Sequence, residues 1–451
     1  MGSVTQPIRV IGGGLAGCEA ALTLADRGHP VTLYEMKPHK RTPAQVTDRL
    51  AELVCSNSFR SNQVTNAVGL IKEEMRILGS HIMQAAAKAQ VPAGDALAVD
   101  RDVFAAQVEH LIQNHPNITL CSEEVCALPT DDVPTIVATG PLTAEDLAHD
   151  IAKQCGKERL AFYDAIAPII EADSVDMNHA YFKSRWDKGD SADYLNCPMS
   201  ESEYQCFLTA LRSADQAAAK DFENLHYFEG CLPIEVMAER GDQTLCFGPF
   251  KPVGLYPPDG GEKPHAVLQL RKEDIHGNAY NLVGCQTRMK QPAQKAVFGT
   301  IPALKNARFL RYGAIHRNTY LDAPEVLSDL FQLRTLSTPG QVYFAGQITG
   351  VEGYVESTAC GLLVALLLHD HLVERDFEPP PEDCAMGGLY RHTRGLLRAD
   401  PKQKYEPSNV TWAMMPPTKK RKGEGKKERR GRAAERALGS LSAWKSARSD
   451  F

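Results

Sequence analysis

A glycine-rich turn between two strand-like segments limits what this chain can fold into more than any other feature. Ile8–Ile11 is short and apolar, and the sequence Gly12-Gly13-Gly14-Leu15-Ala16-Gly17 follows it directly. Helix-forming residues come next, Gly28 ends the helix, and a second apolar segment, Val31–Tyr34, is closed by Glu35. The order strand, turn, helix, strand predicts a βαβ unit with two parallel strands.

The spacing of the glycines is that of a dinucleotide-binding turn. Gly12, Gly14 and Gly17 occupy the G-x-G-x-x-G positions, which allow a tight turn, a close approach of backbone to a pyrophosphate, and packing of the helix on the strand. The helix N-terminus attracts negative charge, and an acid at the end of the second strand can accept hydrogen bonds from ribose hydroxyls. The predicted cofactor-binding residues in this unit are Gly12, Gly13, Gly14, Leu15, Ala16, Gly17 and Glu35.

Two later strand-to-glycine junctions favour FAD over NAD as the tightly held cofactor. The first is Thr135–Gly140, and the second is Gln341–Gln347, which precedes a helix predicted over Glu356–Leu372. Two-domain FAD proteins return a late segment to the first sheet in this way, so Gly346 joins the predicted cofactor-binding residues. The predicted fold is α/β: a Rossmann-like FAD-binding domain, discontinuous in sequence, with an inserted mixed α/β domain.

The middle of the chain differs in composition from the two ends. It is rich in proline and glycine, as in Phe247–Leu255, and it contains strand-like stretches such as Ala266–Leu270. The predicted division is an FAD-binding domain over 1–180 and 321–400, an insertion over 181–320, and a basic C-terminal tail over 401–451.

Charge is spread unevenly along the chain. The net charge is −6, yet residues 401–451 hold 14 Lys/Arg and 5 Asp/Glu, which leaves the first 400 residues at −15. A basic segment that is densest over Lys419–Arg432 predicts a polyanionic partner, with a flexible solvated extension as the alternative. The residues after it have helical apolar spacing, which predicts packing on the protein or on a partner subunit: Ala434, Ala437, Leu438, Leu441 and Trp444.

Composition excludes several classes of protein. Hydrophobic residues make up 43% and charged residues 24%, which is ordinary for a globular protein. The longest apolar run, Ala359–Leu368, is shorter than the ~20 residues that span a bilayer, so we predict no membrane helix. The twelve cysteines include no Cys-x-x-Cys pair, and Met1–Pro7 has no signal-like pattern. These features predict a cytoplasmic protein with free thiols.

Two cysteines have neighbours that could support chemistry. Cys55 lies in a polar stretch that ends in Arg60, and Cys231 lies between Gly230 and Pro233, where a turn could present the sulfur. An ordinary thiol has a pKa of about 8.5, so a nucleophilic cysteine needs nearby positive charge or a base. From the residues alone, each cysteine is compatible with a structural role as well as with a reactive role.

Five motifs together resemble the bacterial folate- and FAD-dependent tRNA (uracil-5-)-methyltransferase family, over about residues 8–370. The first and last are also shared with flavoproteins that modify tRNA wobble uridines, whereas the two cysteine motifs are specific. The motifs are 12–20 (GGGLAGCEA), 55–61 (CSNSFRS), 227–235 (YFEGCLPIE), 311–320 with Arg311-Tyr312-Gly313 and His316-Arg317-Asn318-Thr319-Tyr320, and 345–354 (AGQITGVEGY).

The resemblance implies methylation of the T-loop uridine of tRNA at C5. The carbon would come from 5,10-methylenetetrahydrofolate and the hydride from reduced FAD, which NADH or NADPH would regenerate. The family assigns the nucleophile to the position of Cys231 and the general base to the position of Cys55. The implied partners are tRNA, folate and a nicotinamide cofactor, with no membrane.

Two other functions remain open at this stage. One is a flavin-dependent tRNA wobble-uridine modifying enzyme, and the other is a non-catalytic FAD-containing RNA-binding protein. Gln286–Arg288 and His316–Asn318 resemble family segments near the cofactor and folate pocket, although polar packing at a sheet edge would also explain them. The chain departs from the family pattern at Cys285 and Gln291, where aromatic residues are expected.

Overall fold

A computed structural model of the chain describes most of the sequence. Cys231 and the residues just before it lie outside the described part. The described residues are 5–42, 44–156, 160–187, 192–216, 232–258, 260–334, 341–398, 400 and 404–448.

Helices occur along the whole described chain. They are α1 (Leu15–Asp26), α2 (Ala67–Ile77), α3 (His81–Lys88), α4 (Arg101–Gln113), α5 (Glu145–Cys155), α6 (Glu201–Arg212), α7 (Ile234–Glu239), α8 (Thr244–Phe247), α9 (Gln291–Phe298), α10 (Ala323–Val326), α11 (Tyr354–Leu372), α12 (Ala385–Thr393) and α13 (Lys426–Ser446).

The strands belong to four sheets. They are β1 (Ile8–Ile11), β2 (Val31–Glu35), β3 (Ser58–Ser61), β4 (Gln90–Val91), β5 (Ala96–Val99), β6 (Ile118–Ser122), β7 (Thr135–Val137), β8 (Leu160–Ala165), β9 (Ile169–Glu171), β10 (Tyr181–Phe182), β11 (Tyr194–Met199), β12 (Ala266–Lys272), β13 (Ala279–Leu282), β14 (Phe309–Arg311), β15 (Ile315–Tyr320) and β16 (Val342–Phe344).

The first sheet is parallel and has the strand order β16-β7-β1-β2-β6. Ile8 pairs with Val31 on one side of β1, and Arg9 pairs with Thr135 on the other. β16 returns more than 200 residues after β7 and pairs with it in parallel. This arrangement confirms the predicted Rossmann-like α/β fold, including the late strand that completes the sheet.

Helix α11 packs against α1 over the first sheet. Gly361 allows the close approach, because a Cβ at that position would lie 2.3 Å from the carbonyl oxygen of Ala16. Among the described residues, α11 is the one helix long and apolar enough to cross a membrane, but 89% of its apolar window is buried inside the protein. Its apolar sequence is therefore explained by its place in the core.

The second sheet is antiparallel, with the order β10-β11-β12-β13-β9-β14. It has a hydrophobic core of its own, in which Phe207 packs near Phe250 and Phe298. β8 and β15 form a separate two-stranded antiparallel ladder. β9 precedes residue 181 and still belongs to the second sheet, so we propose that the insertion begins near residue 160 instead of 181.

The C-terminal segment differs from the flexible extension considered above. α13 begins at Lys426, runs through Gly431 and buries an apolar face in the core of the first domain. The predicted packing on the protein itself is thus correct, whereas free flexibility is wrong for residues 426–446. Four buried side chains on one face outweigh the low helix propensity of a single glycine: Ala434, Ala437, Leu441 and Trp444.

Candidate active site

The glycine-rich turn has the geometry that its spacing predicts. Gly12 has a φ of +106°, and a Cβ there would lie 2.7 Å from the carbonyl oxygen of Ala138. A Cβ at Gly17 would lie 1.8 Å from the carbonyl oxygen of Gly12, so helix and strand can meet only with glycine at this position. By contrast, a Cβ at Gly14 would have no atom within 4 Å. The turn is therefore closed on the protein side and open at Gly14.

Glu35 is anchored at the end of β2 by two backbone amides. Its carboxylate accepts hydrogen bonds from the amide of Gly13 at 2.8 Å and from the amide of Lys37 at 3.1 Å. The side chain is buried and lines the cleft beside the turn. These contacts fix the direction of the carboxylate before any ligand arrives.

A first cleft lies over the carboxyl ends of β1 and β2. Of the predicted cofactor-binding residues, five line it: Gly12, Gly14, Leu15, Ala16 and Glu35. Gly13 and Gly17 act through the shape of the turn. Gly346 has a φ of +80° and faces Ala16 and Ser357, where a Cβ would lie 2.6 Å and 2.9 Å from their side chains. It therefore brings the late segment close to α1, and its neighbour Gln347 lines the cleft.

A second cleft adjoins the first and is lined by Cys55 among other residues. Five residues line both clefts, which places the two side by side: Val54, Pro141, Leu142, Gln347 and Tyr354. Arg60, Arg271 and Asn318 also line the second cleft. The neighbouring clefts therefore place the glycine-rich turn and Cys55 on adjoining binding surfaces.

The N-terminus of α11 holds the loop that carries Cys55. The hydroxyl of Tyr354, the first residue of α11, accepts hydrogen bonds from the amides of Cys55 at 2.6 Å and Ser56 at 3.1 Å. Burial, and secondarily the neighbouring Cys55, raise the pKa of Tyr354 well above its usual range, so the phenol keeps its proton. The thiol of Cys55 is partly exposed in the cleft.

Guanidinium groups from three elements surround this loop. Arg101 donates to Glu273 at 2.6 Å and to the carbonyl of Leu53. Arg271 donates to the Asn57 side chain at 2.9 Å and to the Ser56 hydroxyl at 2.8 Å, and Arg60 pairs with a buried glutamate at the start of α11. Arg101 and Arg271 therefore hold the residues on either side of Cys55 in place.

The segment that contains Cys231 lies outside the described residues, but the chain after it is firmly attached beside the second cleft. The amide of Ile234 donates to the carbonyl of Gln286 at 2.7 Å, and Gln286 lines that cleft. Glu235 is buried and accepts hydrogen bonds from the amides of Arg288 at 3.1 Å and Met289 at 3.0 Å. Burial raises the pKa of the Glu235 carboxyl.

Most other described cysteines are unsuited to nucleophilic chemistry. Burial raises the pKa of the Cys155 and Cys360 thiols to about 11, and it raises the pKa of Cys18, Cys197 and Cys285 further. A buried neutral thiol acts as a small apolar side chain.

Sequence reasoning missed the residues that hold the Cys55 loop from a distance. Arg101 and Arg271 have no local motif, because their partners are far away in the sequence. Glu356 carried a usable signal, since it is a charged residue at the start of a strongly apolar helix and is fully buried.

The sequence is similar to a family model and to curated proteins over most of its length. A family model described as "Glucose inhibited division protein A" matches residues 7–376. The methylenetetrahydrofolate–tRNA-(uracil-5-)-methyltransferase TrmFO of Listeria monocytogenes serotype 4b (strain F2365) is 51% identical over 97% of this chain and 98% of that protein. The proteins of the same name from Staphylococcus saprophyticus and Anaeromyxobacter sp. (strain Fw109-5) are 50% and 52% identical, over 98% and 97% of this chain and 99% and 96% of their own lengths.

A solved structure shows the same fold. GidA of Aquifex aeolicus, in its form II crystal, superposes with a TM-score of 0.70 at 14% identity, over 99% of this chain and 74% of that chain. At this identity the likeness concerns the fold alone.

Proposed function

Because the chain belongs to the methylenetetrahydrofolate–tRNA-(uracil-5-)-methyltransferase family, we propose that it methylates C5 of the T-loop uridine of tRNA. The carbon donor is 5,10-methylenetetrahydrofolate and the reductant is NADH or NADPH, in the cytoplasm. The observation that carries the proposal is that the dinucleotide cleft adjoins the cleft of Cys55 and shares five lining residues with it. The two neighbouring clefts can then bring a nucleotide cofactor and a thiol to the same substrate.

The first cleft fits FAD. The open side of Gly14 leaves room for a pyrophosphate at the N-terminus of α1, where the backbone amides attract negative charge. Glu35, already held by two amides, is placed to bind ribose hydroxyls. Bound FAD, once reduced, supplies the hydride of the reaction.

The two thiols answer a specific chemical problem, because C5 of uracil is a poor nucleophile. We propose that the Cys231 thiolate adds to C6, which makes C5 nucleophilic. C5 then attacks the methylene carbon of the folate, and one of the two bonds between that carbon and the folate nitrogens breaks. Cys55 then takes the proton from C5, tetrahydrofolate leaves, and an exocyclic methylene remains on the base. Hydride addition to this methylene gives the methyl group, and the sulfur leaves C6.

Two structural facts support a shared cleft for the two cysteines. Cys55 is partly exposed in the second cleft among guanidinium groups. Ile234, three residues after Cys231, is bonded to Gln286 at the same cleft, and three residues of chain span at most about 11 Å.

Nucleoside analysis of tRNA from a deletion strain tests the function. We expect 5-methyluridine in the T loop to disappear, and a purified enzyme with folate, FAD and a nicotinamide cofactor to restore it. Loss of an anticodon carboxymethylaminomethyl nucleoside instead would identify a wobble-uridine enzyme and contradict the proposal.

A tRNA with 5-fluorouridine at the target position tests the two cysteines. Fluorine cannot leave C5 as a cation, so a covalent adduct between sulfur and C6 should accumulate. We expect Cys231→Ala to form no adduct. Cys55→Ala should form the adduct but fail to methylate ordinary tRNA. The opposite pattern would exchange the two roles.

A further inference from the structure

The segment Lys419–Arg430 forms a concentrated basic surface. Its cations are exposed or half-exposed, and no ion pair joins any of them to a carboxylate among the described residues. The eight residues, called here the basic surface, are Lys419, Lys420, Arg421, Lys422, Lys426, Lys427, Arg429 and Arg430.

Other basic residues of the same region hold this surface in place. Arg432 donates to Glu424 at 2.6 Å and to the carbonyl of Lys419 at 2.8 Å, which ties the loop to α13. Near the end of α13, Arg448 is buried and pairs with Asp370 at 3.0 Å. The basic surface is therefore mounted on a fixed helix, so its binding would require less ordering than that of a free tail.

Three of these charges are unfavourably placed in the free protein. Lys426, Lys427 and Arg429 lie in the first turn of α13, where the helix dipole favours negative charge and disfavours cations. Like charges on the preceding loop add to the repulsion. An anionic partner would relieve both effects.

The basic surface reaches the rim of the second cleft through Trp412. The guanidinium of Arg430 lies 5.8 Å from the centre of the Trp412 ring, and the indole of Trp412 donates to the carbonyl of Thr65 at 3.0 Å. Three residues earlier, Asn409 lines the cleft and donates to the carbonyl of Glu352 at 2.6 Å. A strand of phosphates on the basic surface would thus lead toward the cleft of Cys55.

We propose that the basic surface binds the phosphodiester backbone of the RNA whose uridine enters the second cleft; this rests on the proposed function. An RNA fits better than an anionic membrane, because the apolar face of α13 is buried in the core. Among described residues 404–448, no large hydrophobic side chain is exposed for insertion into a bilayer.

The test compares two triple variants with the same change of charge. One is Lys420→Gln/Lys426→Gln/Lys427→Gln, and the control changes three exposed lysines on α5, α9 and the loop after it: Lys153→Gln/Lys295→Gln/Lys305→Gln. Gln and Lys have similar helix propensities, and loss of Lys426 and Lys427 removes unfavourable dipole interactions, so the first variant should fold. Thermal melts and flavin absorbance verify this.

The measurement is the dissociation constant of holoenzyme and tRNA across a series of salt concentrations. Each lost phosphate contact should lower the slope of log affinity against log salt by about 0.7–0.9, so we expect a decrease of about two units for the first variant and little change for the control. A slope equal to that of the unmodified enzyme, or an equal decrease in both variants, would overturn the proposal. So would lysine-dependent binding to vesicles of phosphatidylcholine and phosphatidylserine with unchanged tRNA affinity.

The proposed function fails separately. If the unmodified enzyme binds tRNA with a steep salt slope but forms no 5-methyluridine, the methylation is wrong, while the comparison of the two triple variants still decides the role of the basic surface.

Discussion

Gly14 and Gly17 lie one helical turn apart and have opposite surroundings. Gly14 has an extended backbone, with φ of −78° and ψ of −172°, and open space where a side chain would point. Gly17 has no space, because a Cβ would lie 1.8 Å from a carbonyl oxygen. A side chain at Gly14 is therefore compatible with the folded protein and incompatible with a close ligand.

We expect Gly14→Val to lose FAD and to keep the thermal stability of the flavin-free enzyme. Valine adopts extended backbone readily, so only the approach of the pyrophosphate is blocked. Gly17→Val should instead destabilise the fold. The measurements are flavin absorbance after gel filtration and thermal melts of the flavin-free proteins. A Gly14→Val protein with full flavin absorbance would contradict the placement of FAD at this turn.

Residue positions in the turn could be predicted because the whole unit is local in sequence. Gly12, Gly14 and Gly17 act within one strand, one turn and one helix, and a regular spacing encodes each role. The surroundings of Cys55 could not be predicted in the same way, since they depend on side chains from distant segments such as Arg271.

At the scale of elements, α11 connects the core to the Cys55 loop. The sequence predicted a helix over Glu356–Leu372, and the structure begins it two residues earlier, at Tyr354. Glu356 in the same turn binds Arg60 and the amide of Val410 at 2.9 Å. The N-terminus of one buried helix therefore fixes two segments of the site.

Removal of one hydroxyl tests this role of α11. Tyr354→Phe leaves the amides of Cys55 and Ser56 without their acceptor, so we expect the free energy of unfolding to fall by about 1–3 kcal/mol. Because the loop is then less well placed, kcat should fall by roughly ten-fold or more.

A second buried tyrosine provides the matched control. The hydroxyl of Tyr343 in β16 is buried and has no hydrogen-bond partner among the described residues. Tyr343→Phe should therefore leave both the free energy of unfolding and kcat unchanged. Equal effects of Tyr343→Phe and Tyr354→Phe in urea unfolding and single-turnover assays would refute the hydrogen-bond argument.

α13 shows where sequence reasoning reached and where it stopped. Helical spacing of Ala434, Ala437 and Leu441 predicted packing, and the structure confirms it. The glycines before this stretch suggested flexibility. In the structure, Arg432 of α13 donates hydrogen bonds to Glu424 and to the carbonyl of Lys419 in the preceding loop. Composition alone cannot show such contacts.

At the scale of the whole molecule, the end of β12 joins the second sheet to the Cys55 loop. Asn57 is fully buried, donates to the carbonyl of Lys272 at 2.9 Å and accepts from Arg271 at 2.9 Å. Glu273, the next residue, pairs with Arg101 of α4 at 2.6 Å. These contacts join residues more than 170 positions apart, so they follow from the folded topology and leave no local pattern in the sequence.

This connection predicts that a residue of the insertion controls the chemistry of the first domain. Arg271→Lys keeps the charge but loses the planar guanidinium that donates hydrogen bonds to both Ser56 and Asn57. We expect kcat to fall about ten-fold or more while flavin absorbance stays unchanged, because no contact of Arg271 reaches the glycine-rich turn. Arg308→Lys is the control, since Arg308 pairs at the surface with half-exposed Glu171 and exposed Asp173, and such surface pairs contribute about 0–1 kcal/mol.

The readouts separate positioning from simple stability. Should Arg271→Lys only lower the free energy of unfolding, with kcat unchanged at temperatures far below the melting transition, the contact would be structural. Should kcat fall and the 5-fluorouridine adduct still form, the defect would lie after the attack of the nucleophile, at the step assigned to Cys55. That result would tie the insertion, through β12, to proton removal in the neighbouring domain.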